Sequence, residues 1–331
     1  MASPTATRPQ AGQAKVEHLQ VRSAASRRRM LIVVNPYATR VSERLRRLVV
    51  AGLEGRFEVD AVDTEARGHA TEICRQAAHE DYDVVVAFGG DGTVNEAANG
   101  LLGARVPLCC LPGGSANVFA KMLGIPGDIV DAVAHLLSMA DEWHPRRIDL
   151  GVVNGRCFTF ASGLGLDASV VERVDANPRM KARLGPYYFA SVAVRTVLRR
   201  YLLSPPRLRV DTGSETHAGV TAIIQNGVPF TYFQDRPIDL AENVALDSGA
   251  LAASVLHRAT ALGVARIGWR ALSTRARVSA DRNVTGISEL TELTVSSTDE
   301  RPLPLQVDGD YLGNVAVARY SIIKDALTIV S

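Results

Sequence analysis

No apolar run in this 331-residue sequence approaches the roughly 20 residues of a membrane span, so the described composition gives no sign of a crossing helix. Charge of either sign is not in excess: 37 basic against 35 acidic side chains leave no whole-molecule field to draw the chain to nucleic acid, which is excluded as a partner, or to an anionic membrane. Cysteine is scarce. Cys74, Cys109, Cys110 and Cys157 have no paired spacing of a zinc site, so all four read as small core residues of a protein kept in a reducing compartment. A Gly-x-x-x-x-Gly-Lys-Ser/Thr loop is missing, which rules out the P-loop way of holding a nucleotide. No repeat or low-complexity segment follows the first 27 residues, whose Ala, Thr, Pro, Gln and Arg make a disordered tail over 1–27. The Arg27-Arg28-Arg29 run is followed by too short an apolar stretch for an export signal, and leads into a first strand instead.

The chain has apolar residues at 47%, enough for two packed units. Its organising stretch is 84–102. Val84-Val85-Val86-Ala87-Phe88 reads as a buried strand, and Val94, Ala97, Ala98, Leu101 and Leu102 carry the stripe of a helix. Between them lies Gly89-Gly90-Asp91-Gly92-Thr93, a glycine-rich loop at a helix N-terminus. Its amides and the helix dipole would cradle an anion. Asp91 would repel a bare phosphate, so its work in such a loop is to hold a divalent cation or polarise an attacking hydroxyl. A plain strand-to-helix turn, with Asp91 and Thr93 as caps, uses the same residues.

Strands alternate with helices over the first 140 residues. Strands are predicted at 30–34, 57–62 and 106–111, and helical stripes at Val41, Leu45, Leu48, Val49 and Leu53, at Ala70, Ile73 and Ala77, and at Ile129, Val130, Val133, Leu136 and Leu137. The fold class that follows is α/β, with a mostly parallel sheet whose ligands bind past the strand C-termini. From 143 the rhythm changes. Strands at 147–153 and 156–162 flank Asn154-Gly155, a hairpin turn, and begin an antiparallel β-rich part with later strands at 208–211, 220–225, 251–256, 290–296, 303–307, 315–323 and 327–330. A long helix is predicted over 185–203.

Gly89 to Glu96 taken with Leu111-Pro112-Gly113-Gly114-Ser115-Ala116-Asn117-Val118-Phe119-Ala120 resembles the diacylglycerol kinase catalytic family of lipid kinases. The resemblance implies an ATP-binding α/β domain over 28–145, completed by the returning chain end at 315–331, and a β-rich lipid-substrate domain over 146–314. It implies ATP and Mg²⁺ as cofactors, with Asn35, Thr64, Gly89, Gly90, Asp91, Gly92, Thr93, Asn95, Gly114 and Ser115 around the nucleotide. His69, by contrast, reads as a helix-start packing residue. The Gln306-Val307-Asp308-Gly309-Asp310 segment matches a motif whose last acidic residue is the general base, which makes Asp310 and Asp91 the expected catalytic pair. Asp310 stands where the family has Glu, and Tyr37-Ala38-Thr39 replaces a small Ser-Gly. Ser248 stands where the family has the Asp of a structural magnesium site, leaving Asp247 as the expected metal ligand.

The expected function is therefore ATP-dependent phosphorylation of a lipid hydroxyl, diacylglycerol-like, by a cytoplasmic protein that touches the inner membrane face peripherally. NAD kinase, which shares a Gly-Gly-Asp-Gly loop, and a catalytically weakened nucleotide- or lipid-binding protein are the alternatives. Oligomeric state is open, a homodimer included.

Overall fold

The computed structural model describes residues 27–177, 180, 188, 191–196, 206–233, 235–273, 276–299 and 301–331. The tail expected over 1–27 lies outside them except for Arg27, as does the helix expected over 185–203 except for 188 and 191–196, which are helical. Among the described residues no helix is long and apolar enough to cross a membrane.

The chain opens with β1 (Arg29–Val34), α1 (Glu43–Glu54), β2 (Glu58–Asp63), α2 (His69–Ala77), β3 (Val84–Gly89), α3 (Asp91–Gly100) and β4 (Leu108–Pro112). These strands lie parallel in the order β2-β1-β3-β4. The central pair is buried from Met30 to Val34 and from Val84 to Gly89, as its apolar runs require when helices cover both faces. On α1 the buried residues are Val49 and Leu53, while Leu48, expected in the stripe, is 61% exposed. Leu102 is also half in solvent, because α3 ends at Gly100 and the helical phase ends with it.

Next come α4 (Val118–Met122), α5 (Ile129–Ser138), β5 (Arg146–Val153) and β6 (Arg156–Phe158). On α5 it is Ala132 and Leu136 that face inward, and Val130 points to solvent. The β5–β6 connection is the expected two-residue turn, with φ of 48° at Asn154 and 85° at Gly155, the left-handed pair that matches strand twist. The rest of the chain runs β7 (Ala161–Gly165), α6 (Leu166–Asp175), β8 (Leu208–Asp211), β9 (Thr216–Gly219), β10 (Thr221–Gln225), β11 (Thr231–Phe233), β12 (Arg236–Ile238), β13 (Leu251–Leu256), α7 (Ala261–Leu272), β14 (Val284–Leu290), β15 (Glu292–Ser297), β16 (Leu303–Val307), β17 (Asp310–Val315) and β18 (Val317–Ile329).

The β-rich part contains an antiparallel sheet ordered β14-β13-β10-β7-β16-β17. The last strand does more than return to the start of the chain. β18 pairs parallel with β4 and antiparallel with both β5 and β15, so one sheet runs from the parallel strands into the β-rich part. The two strands expected at its place are one, with a register shift between Ile323 and Leu327 around Asp325 at φ 49°. Phe158, Leu164, Val210, Leu305 and Tyr320, drawn from both sheets, close a second core between them. All four cysteines are buried and unpaired, and burial pushes the Cys74 and Cys109 thiols up to about 12.

Candidate active site

β3 and β4 end side by side, with Gly89 opposite Pro112, and each runs on into a glycine pair. The two pairs pack backbone on backbone. Gly113 N–H donates to Gly89 O at 2.8 Å, and a Cβ on Gly114 would stand 2.7 Å from Gly90 Cα. Only glycine admits that approach. Asn117, itself left-handed at φ 49°, clamps the second loop: its Oδ1 accepts from Gly114 N at 2.8 Å and its Nδ2 donates to Gly114 O at 2.9 Å. The space behind the loops, lined by Val94, Cys110, Leu111 and Ala120, leaves no room for a water molecule.

Asn35 follows β1 into the same region. Its N–H donates to Phe88 O at 2.9 Å and its Nδ2 to Thr93 Oγ1 at 3.0 Å. Thr64 joins from the end of β2, buried, with its N–H on Val34 O at 2.8 Å. The fold thus brings Asn35, Thr64, Gly89, Gly90, Gly92, Thr93 and Gly114 to the C-terminal ends of neighbouring parallel strands, where ligands of such sheets bind. Ser115 stands exposed on the second loop. His69 has the structural place expected of it, its Nδ1 accepting from Glu65 N at 3.0 Å.

Asp91 is the first residue of α3, and its Oδ1 accepts from Phe119 N at 3.0 Å, with Val118 N–H beside it. It therefore ties the start of α3 to the start of α4. Burial raises its carboxyl to about 6, helped by Asp308 and Asp310 and opposed by those two amides.

Two more carboxylates come from the far end of the chain. Asp308, at φ 47° and buried, accepts five hydrogen bonds, from Asn95 Nδ2, Thr159 N, Thr159 Oγ1, Phe160 N and Ala161 N at 2.7–3.1 Å. Burial still holds its carboxyl above the ordinary range. Two residues on, Asp310 leans over the first turn of α3. Its Oδ2 occupies the space a Cβ on Gly92 would need, and Arg67 Nη2 is 3.7 Å from the same oxygen. Gln306 steadies the turn between them, donating from Nε2 to Asp167 at 2.8 Å while its Oε1 accepts from Gly309 N at 2.9 Å.

Two expected site residues are elsewhere. Asn95 is buried with its polar atoms turned into the protein: Nδ2 donates to Cys157 O and Asp308, and Oδ1 accepts from Arg156 Nη2 at 2.7 Å. It is a joint between α3, β6 and the C-terminal turn, one helical turn away from the loop face. Asp247 is exposed, and no group of three metal-ligating side chains occurs among the described residues. Ser248 bonds within its own turn, at 2.9 Å to Ala245 O. The neighbouring buried carboxylate, Asp149, is occupied by Gly249 N at 2.6 Å and Asp325 N at 2.9 Å, and Lys324 Nζ lies 2.8 Å from where a Cβ on Gly249 would be. An ammonium over the turn and one exposed carboxylate do not fit a structural magnesium, which wants several converging oxygens.

Sequence reasoning missed Glu96, Asp149, Asn117 and Arg67. Glu96 accepts from Gly68 N at 2.8 Å and Ala70 N at 3.2 Å, so the N-terminus of α2 is already capped from α3. The signal for Glu96 was its place within the first motif, and for Arg67 its place before Gly68-His69-Ala70. Nothing local marked Asp149.

Fold and site together define an α/β protein with paired glycine loops at the strand ends and a carboxylate delivered from its β-rich part. Known proteins resemble it in part. Residues 29–153 match the model of the diacylglycerol kinase catalytic domain, so the resemblance carried by the two motifs is borne out. The diacylglycerol kinases of Staphylococcus aureus strains JH9 and Newman are each 33% identical over 171 residues, 49% of this chain and 51% of theirs. The match spans about half the length of these curated relatives. A crystal structure of a diacylglycerol kinase from Bacillus anthracis str. Sterne shares the fold with a TM-score of 0.66 at 20% identity, over 91% of this chain and 96% of that one. A second structure from the same organism reaches 0.70 at 22% identity.

Proposed function

We propose that this chain is an ATP-dependent kinase that phosphorylates a hydroxyl of a lipid, with diacylglycerol as the acceptor to try first. The observation that carries the reading is the approach of Asp310 to Gly92. It sets a carboxylate against a phosphate-cradling helix start, from two segments more than half the chain apart. In this reading the α/β part, 28–145 with 315–331, takes the nucleotide, and 146–314 takes the lipid.

The amides of the Gly89-Gly90 loop and the dipole of α3 hold the phosphates. A divalent cation bound with the nucleotide would neutralise phosphate charge, and Asp91, the first residue of α3, is the residue to hold it. Asp310 takes the proton of the lipid hydroxyl as its oxygen bonds to the γ-phosphorus and the bond to the bridging oxygen breaks, leaving ADP. Arg67 sets a cation beside the base, its Nη2 3.7 Å from Asp310 Oδ2. Phosphoryl transfer needs positioning and charge above all, so a carboxylate moved by about 1 Å lowers the rate by on the order of a hundredfold.

The test is transfer from labelled ATP to diacylglycerol in mixed micelles, with NAD as a parallel acceptor. Asp310→Asn is expected to lower lipid phosphorylation at least about a hundredfold while ATP still binds. Unchanged turnover in that variant would remove Asp310 as the base, and phosphate on NAD alone would replace the lipid reading.

A further inference from the structure

α7 is built the wrong way round for a surface helix in water. Thr260 caps it, its Oγ1 accepting from Gly263 N at 3.1 Å, so its start is well defined. Its outer face is Ala261, Leu262, Ala265, Gly268, Trp269 and Leu272, with Leu262 74%, Trp269 63% and Leu272 44% exposed. No charge stands on that face. Both charged residues of the helix, Arg266 and Arg270, turn inward onto Asp281, which is buried: Arg266 grips it with two nitrogens, and Arg270 Nε lies 3.5 Å away. The inner side rests on the β-rich part through Val264, which packs beside Val170 and Val220. By contrast, Leu48 on α1 and Val130 on α5 are each the single large exposed apolar side chain of their helix. Here three share one stripe about 18 Å long.

The charges around the stripe select its partner. Residues 257–283 hold six arginines and a single acidic residue, Asp281, within a chain otherwise balanced in charge. Arg258 before the helix and Arg282 after it are exposed, and no ion pair of either is found among the described residues. An apolar stripe with a tryptophan, rimmed by arginines, matches the interface of an anionic bilayer, where the indole sits at headgroup level and each basic residue adds attraction. The inward pairing on Asp281 keeps two arginine heads off the stripe, so it can enter the acyl boundary without burying charge.

We infer that the α7 face, Leu262, Trp269 and Leu272 with Arg258 and Arg282 at its rim, docks this protein on anionic lipid bilayers. The inference deepens the lipid-kinase reading by naming the surface that would meet the membrane, and its test does not depend on turnover. Trp143 and Trp269 are the chain's only tryptophans, so Trp143→Phe leaves Trp269 as the sole reporter. The full chain is mixed with vesicles of equal parts phosphatidylglycerol and phosphatidylcholine, or of phosphatidylcholine alone, and followed by flotation and Trp269 emission.

Flotation and a blue shift with the anionic vesicles are expected, with little of either on phosphatidylcholine alone. Leu262→Gln with Trp269→Gln should weaken flotation about tenfold or more, and Arg258→Ala with Arg282→Ala roughly tenfold. Circular dichroism checks that the variants keep their fold. Equal flotation of the natural chain and the Leu262→Gln/Trp269→Gln variant overturns the inference, since another face then docks. No flotation of the natural chain overturns it too. A dimer in sedimentation that this variant converts to monomer would assign the face to a second copy instead. Turnover of a short-chain, water-soluble diacylglycerol by the variant keeps the kinase reading separate: its absence in the natural chain would count against catalysis and leave the docking result standing.

Discussion

Two acidic turns of this protein look alike as sequence, Asp308-Gly309-Asp310 and Asp247-Ser248-Gly249, and each has a left-handed glycine, at φ 82° and 66°. They end in different places. The first is anchored by its own buried carboxylate, since Asp308 gathers the amides of 159–161 and so hangs Asp310 over Gly92. The second is anchored from outside, by Asp149 of β5 on Gly249 N, and its own Asp247 is left in solvent. A carboxylate is put to use by the buried neighbour that fixes it, rather than by the turn that carries it.

The largest effect on this contrast should come from Asp308→Ala. It strands several buried amides and the Asn95 side chain, so stability should fall by about 3–5 kcal/mol, read by thermal or urea unfolding. Asp247→Ala, its counterpart, should shift stability by less than about 0.5 kcal/mol. Equal losses from the two would erase the distinction.

Gly92→Ala comes next. Alanine suits a helix, yet its Cβ would meet the Asp310 carboxylate, so kinase turnover should drop by on the order of a hundredfold while unfolding changes little. A fully active Gly92→Ala protein would mean that Asp310 need not sit where the structure has it.

Asp91 offers a pH-dependent test. Its folded-state carboxyl is raised from 3.8 to about 6, so between those values the folded chain binds a proton that the unfolded chain has released. Its contribution to stability is greatest below about 4 and falls by about 1–3 kcal/mol as pH rises through 6. Its ability to hold a cation changes the other way, and turnover should decline on the acid side of about 6. Asp91→Asn should flatten its share of the stability profile, measured as unfolding free energy from pH 4 to 7. An unchanged slope would mean that Asp91 titrates normally.

The smallest expected effect is Ser248→Asp, which restores a carboxylate beside Lys324. A stability change within about 0.5 kcal/mol is expected, with no dependence on added Mg²⁺. A melting temperature that rises with Mg²⁺ in this variant would show that the turn lies one carboxylate short of a metal site.

Much of this arrangement was legible in the residues. The Val/Ile/Leu runs of β1 and β3, the Asn154-Gly155 turn and the two glycine loops each follow from a local rule, because strand burial, left-handed backbone and close approach depend on a few adjacent residues. Asn95 was not legible. It sits in the loop motif, but 100° per residue of helical rotation carries it off the loop face and into the contact with Asp308. The helix α7 escaped for a related reason. Its arginines face inward and its Leu and Trp outward, the reverse of the pattern from which a surface helix is read. The single strand β18 looked like two because Asp325 breaks its register without ending it.

By itself the sequence determined the α/β class, the parallel order's raw material in buried β-branched runs, and the glycine pairs where backbone must meet backbone. Tertiary structure alone decided which carboxylate reaches which glycine. Asp310 and Gly92 are brought together by the Asp308 anchor, Asn95 and the sheet that β18 runs through, and contacts between residues so far apart in the chain leave no periodicity for local patterns to report.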